Sequence, residues 1–372
     1  MRRVQYGPEE RSAMTSQRTV GAVVLCVAGV FAQAPAGDKP GLTASRVTLP
    51  AQPGRTLAQV AAELTRQTGI PLDLSRAGKD RPFPAAVEGV PFWSALDQAA
   101  AATRHRVAVS HQGVALVPLT EGAAPPPAAH IAGPFRVAAR QALARIDYET
   151  GRRSCDLQLD VAWEPGLHLF LIGLNGKSLR AEGSDGKPLT VEDVAGGRLP
   201  ARGSPAALTV RLENVPRSTP AVRSLRGELV AVGTQRFLDL TLDPAPAPVK
   251  ESRDGVEVTL SKFARAPQGT VWTVELRLKY PPETPEFESF QGWLADNRLT
   301  LVNRATKAEH ELPDAPEVGS GRPGEAVVRY YLTEGKAGLA IKDAADWQVR
   351  YRTPGRIVEV TVPFALADVS LP

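Results

Sequence analysis

The sequence predicts a multidomain protein, with a small α+β (βαββαβ-like) module followed by two all-β, immunoglobulin-like sandwiches. Three observations predict it. Residues 45–119 carry two apolar stripes at helical spacing, one of them with a complete N-terminal cap. The chain holds 33 prolines and 32 glycines in 372 residues, a density that interrupts helices and suits strands joined by turns. The second half repeats the pattern of the middle at a spacing of about 120 residues, which is the size of one sandwich. The length is enough for three cores. With 43% hydrophobic and 23% charged residues, wholesale disorder is excluded.

The first element of the module is a helix beginning after Thr56. Thr56-Leu57-Ala58-Gln59 is a capping box, in which the threonine hydroxyl and the glutamine side chain satisfy each other's backbone N–H groups. Leu57, Val60, Ala61 and Leu64 then form one stripe, and Gly69 supplies the stop. Residues 71–74 (PLDL) and 83–87 read as short extended pieces. Pro91 opens a second helix with the stripe Phe92, Ala95, Leu96 and Ala99. A hairpin closes the module, with strands 106–110 and 114–119 turned at Gln112-Gly113.

The runs Thr56–Ile70 (TLAQVAAELTRQTGI), Val87–Leu96 (VEGVPFWSAL) and Gly113–Val117 (GVALV) fall in the order of a known family. On these residues the module resembles the short N-terminal domain of secretins and TonB-dependent receptors (STN). The resemblance implies a periplasmic interaction domain and a protein partner in the cell envelope. It implies no catalysis, and this chain lacks the downstream barrel or secretin region of the usual member.

Residues 121–130 (EGAAPPPAAH) form a stiff Pro-Ala spacer, and residues 243–248 (DPAPAP) a second break. The expected division is therefore a leader at 1–32, a linker at 33–44, the module at 45–119, a linker at 120–130, one sandwich at 131–243 and another at 249–372. Three anchors carry the repeat. Cys155–Pro165 aligns with Trp272–Pro282, Ala144-Arg145 with Ala264-Arg265, and Phe237–Leu242 with Ile357–Val362.

Val20–Ala32 is an apolar run after Arg18, and it is too short to span a membrane. It reads as a secretory signal cleaved after Ala32, with Met14 a candidate initiator. The expected location is the periplasm or envelope, with no transmembrane span in the mature chain. Leu25 precedes Cys26 where a lipobox wants a small residue, so lipidation is not expected. Cys155 is then the one cysteine of the mature chain and is read as a buried thiol. Losing residues 1–32, which hold four arginines and two glutamates, lowers the formal charge from +4 to +2. No basic stripe remains, and nucleic acid is excluded as a partner.

No phosphate loop, nucleophile elbow or metalloprotease motif is present. The five histidines, at 105, 111, 130, 168 and 310, show no metal-ligand spacing. His105 and His111 read as solvated residues flanking a strand. Glu283, Glu286 and Glu288 read as solvated loop acids rather than a glycosidase pair. The expectation is a protein without enzymatic activity, cofactor or metal, acting in contact or scaffolding. A carbohydrate-binding or carbohydrate-active wall protein is the alternative. The candidate contact residues are Trp93, on the flank of the second helix, and Phe287, Phe290 and Trp293, which recur every three residues and could meet a glycan.

Overall fold

The computed structural model describes residues 42–372 apart from 79–80, 111, 121, 123–128, 193–196, 245–246, 268, 286–293, 295, 313–315, 323 and 336–338. The described chain is mostly β-sheet with two α-helices, consistent with β-sandwich domains. The expected leader, Met14 and Cys26 lie outside the described residues, as does most of the 120–130 spacer. No helix among the described residues is long and apolar enough to cross a membrane.

The capped helix α1 spans Leu57–Thr68. The Thr56 hydroxyl accepts from Gln59 N at 3.3 Å, and the Gln59 side chain accepts from Thr56 N at 3.0 Å. Gly69 ends the helix with φ of 72°, in the left-handed region that favours glycine. Leu57, Val60, Ala61 and Leu64 are buried. The second helix, α2, spans Phe92–Ala102, with Pro91 as its cap residue rather than its first turn. Two small sheets accompany the helices. Arg46–Leu49 pairs with Val87–Pro91, and Gly113–Pro118 pairs with both Leu72–Asp73 and His105–Ser110.

His105 departs from the expectation of a solvated side chain. The strand begins at His105 itself and turns the ring inward. Its Nδ1 lies 2.9 Å from Thr103 Oγ1 and its Nε2 2.8 Å from the Ala77 carbonyl, so both ring nitrogens are satisfied inside the fold.

Beyond residue 130, two layers of strands share a first core. One layer holds Phe135–Ile146, Arg153–Trp163 and Ala206–Glu213. In the other, Ala221–Thr234 pairs with His168–Leu174 and Arg180–Gly183, and also with Ile357–Ser370. Leu157, Leu159 and Val161 of the first layer meet Leu229, Ala231, Phe364 and Leu366 of the second. A second pair of layers encloses another core. Val256–Arg265, Val271–Lys279 and Glu325–Thr333 form one, while Phe237–Leu242, Trp347–Pro354 and Arg298–Asn303 form the other.

Strand pairing crosses the break at 243–248 in both directions. Phe237–Leu242, the last strand before the break, pairs with Trp347–Pro354. Ile357–Ser370, the last strand of the chain, pairs with Ala221–Thr234 along thirteen residues. These are the strands matched to each other by the repeat, so each half of the chain completes the sheet of the other half. Alternation explains why both fit. Leu238, Leu240 and Leu242 enter the second core, and Val362, Phe364 and Leu366 enter the first, each at period two. Gly227 lies opposite Phe364, and a Cβ at Gly227 would stand 3.1 Å from the phenyl ring and 2.6 Å from Leu179 Cδ2. Glycine is required there by close approach, with the ring covering the position.

Candidate functional site

The structure spends the Trp93 surface internally. Trp93 is fully buried, and its indole N–H donates to the Pro134 carbonyl at 2.9 Å, in the turn between the sandwich strands His130–Ala132 and Phe135–Ile146. Asp97, one turn along α2, accepts from Arg136 Nε at 3.1 and 3.2 Å. On the other side of the junction both oxygens of Glu164 lie within 3.1 Å of Ser45 N. Ala162 belongs to the same apolar cluster as Leu96 and Trp93. Residues 42–119 are thus packed onto the sandwich that follows, and Trp93 is a packing residue with no surface to offer a partner. Desolvation pushes the Asp97 and Glu164 carboxyls above their ordinary range, and their hydrogen-bond donors oppose it.

Phe287, Phe290 and Trp293, with Glu286 and Glu288, lie outside the described residues. Glu283 is ion-paired with Arg356. Cys155 is a buried free thiol, pushed up in pKa by desolvation and by the Asp156 charge. Among the described residues no group of acids, histidines and cysteines is placed to hold a metal.

Several hollows among the described residues carry charged walls, and two of them differ in how their cations are paired. The larger, about 540 Å³, lies at the end of the first sandwich beside Arg145, Arg153, Glu192 and Arg211. Two of its cations are answered from within, while Arg152 and Arg153 have no ion pair among the described residues. The carboxylate of the buried Asp156 takes Arg211 at 2.7 Å and Arg145 at 3.2 Å, and Glu192 takes Arg211 at 3.2 Å.

The second hollow, about 390 Å³, opens where the two cores adjoin. Trp163, Leu167 and Leu169 of the first sandwich form its apolar floor. The Phe237 ring stands in one wall, with the His168 ring edge-on at 4.7 Å and the Arg352 guanidinium over its face at 4.9 Å. Arg298 is the cross-strand partner of Arg352, and Asp296 completes the lining. Like charges directly opposite on neighbouring strands repel. Arg298 has Glu311 at 3.7 Å, whereas Arg352 has no ion pair among the described residues.

Buried hydrogen bonds hold this wall from behind. Asn297 Nδ2 donates to Tyr351 Oη at 2.7 Å, Thr353 Oγ1 donates to Asn297 Oδ1 at 3.2 Å, and Tyr280 Oη lies 2.9 Å from Thr353 Oγ1. Asn297, Tyr351 and Thr353 are the immediate chain neighbours of Asp296, Arg298 and Arg352. Burial lowers the His168 pKa, with Arg352 adding to the effect and Asp296 opposing it. Burial raises that of Asp296 against the pull of His168 and Arg298. The sequence reading missed this set. Its members lie up to 189 positions apart in the chain, and only the exchanged strand carrying Phe237 brings them together.

Comparison of the chain with protein-family models, with curated proteins and with solved structures finds no match.

Proposed function

We propose that the chain is an exported protein of the periplasm or cell envelope that serves as a rigid contact and scaffold protein rather than as an enzyme. In this reading residues 45–119 are an STN-like α+β interaction module and the repeated sandwiches are its support. The observation that carries the reading is the placement of the module. Its Trp93 side is closed against the following sandwich, while the His105–Ser110 strand pairs on one edge alone with Gly113–Pro118 among the described residues. An open strand edge offers unpaired N–H and C=O groups to an added strand from a partner. Arg106 and Ser110 are exposed on that strand, and Val107 and Val109 are half-buried.

A photo-crosslinking residue at Arg106 in the intact cell tests the reading. The expected result is a discrete cross-linked envelope protein at position 106, none with the same residue at the buried position 93, and a mature chain lacking residues 1–32. Retention of the leader in the cytoplasm, or identical cross-linking at both positions, contradicts it. The carbohydrate alternative rests on Phe287, Phe290 and Trp293, and no described side chain favours it over the scaffold reading.

A further inference from the structure

We infer that the hollow between the two cores binds a carboxylate joined to an apolar group, either a small organic acid or the C-terminal carboxylate of an apolar peptide. The inference stands apart from the scaffold reading, since it concerns a different surface. Three features carry it. First, Arg352 is fixed in place without an anion of its own. Its guanidinium lies on Phe237, the neighbouring Tyr351 and Thr353 are tied into a buried network, and no carboxylate reaches it among the described residues. A planar guanidinium stacked on a ring keeps its N–H fork free for bidentate contact with a carboxylate.

Second, the acids around the hollow favour the anion of smallest charge. Arg298 and Arg352 stand side by side, but Asp296 lines the same hollow, Glu311 lies 3.7 Å from Arg298, and Asp239 is the partner of Arg352 on its other neighbouring strand, without an ion pair between them. The two arginines thus already have acids beside them, so a phosphate monoester with two charges is repelled more strongly than a carboxylate, whose single charge can be met by the unpaired Arg352 fork. Third, the floor of Trp163, Leu167 and Leu169 and the edge of Phe237 offer apolar contact beside the cation. The larger hollow lacks the third feature, because Ile146 is the one large hydrophobic side chain in its lining and no aromatic ring lines it beside its arginines.

The test is calorimetric titration of the full mature chain with phenylacetate and with N-acetyl-leucine, using their methyl esters as controls. The site predicts saturable binding of at least one acid and none of its ester. Arg352→Gln is expected to weaken binding at least about tenfold, the worth of one charge-assisted pair. Asp296→Asn is expected to strengthen it about threefold by removing a like charge. Binding of phenylacetate alone identifies a free acid as the ligand source, and binding of N-acetyl-leucine alone identifies a peptide terminus. Equal binding of acid and ester, retention of affinity in a folded Arg352→Gln variant, weakening in Asp296→Asn, or no binding of either acid at about 10 mM each overturns the inference.

Discussion

Ending the chain at Gly355 removes the strand Ile357–Ser370 while leaving every residue of the 131–243 segment in place. If that segment were a self-contained sandwich, its stability would be untouched. The structure gives a different result. Val362, Phe364, Leu366 and Val369 are all buried in the first core, and thirteen residues of the strand pair with Ala221–Thr234. Truncating one buried phenylalanine costs about 3–5 kcal/mol and one leucine about 2–5 kcal/mol. Phe364 and Leu366 together therefore carry about 5–10 kcal/mol, before the two valines or the lost ladder are counted. A typical domain is stable by about 5–15 kcal/mol in total. The shortened chain is thus expected to lose the cooperative unfolding of its first sandwich. Urea unfolding followed by far-UV circular dichroism reads this, and a synthetic peptide of residues 356–372 should restore the transition. An unchanged midpoint in the shortened chain would refute the pairing.

Further outcomes follow from the same packing. Gly227→Val drives its side chain into Leu179 and the Phe364 ring, and overpacking of this kind costs about 1–3 kcal/mol, read as a lowered urea midpoint. Trp93→Phe keeps an aromatic ring but leaves the Pro134 carbonyl without its indole donor and a small void beside it, at about 1–3 kcal/mol for the lost donor alone. Faster proteolysis within 120–130 would report the loosened module. Glu164 is a carboxyl whose folded pKa is raised by desolvation, so the folded state binds its proton more readily than the unfolded chain does. Its contribution is fully favourable below the ordinary glutamate range and is lost as pH rises through the raised value. Glu164→Gln, which keeps an oxygen for Ser45 N, should match or exceed the wild type at pH 7.5, with wild type gaining on the variant towards pH 4. The opposite trend in urea midpoints would remove the argument. Cys155, buried and raised in pKa, should react with a thiol reagent only at the rate of unfolding.

What could be read from the sequence was local. Thr56 and Gln59 announce their own hydrogen bonds, Gly69 its left-handed turn, and the stripe from Leu57 to Leu64 its buried face, because each depends on residues within one or two helical turns. The matched strands at 237–242 and 357–362 were equally visible. Their partners were not, since alternation states that a strand has a buried face and leaves open which sheet receives it. Two copies of one pattern make the ambiguity worse, because either terminal strand fits either core. His105 was misplaced for a related reason, as a polar ring satisfied at both nitrogens is buried without any apolar signature. The cleft was illegible because Phe237 reaches His168 and Arg352 by the exchange itself.

That exchange is open to one direct measurement. A protease site inserted between Ala245 and Pro246 allows the folded chain to be cut once between its halves. Reciprocal pairing predicts that the two pieces stay together through size-exclusion chromatography in native buffer and separate only in denaturant. Elution of two separate folded pieces would contradict it.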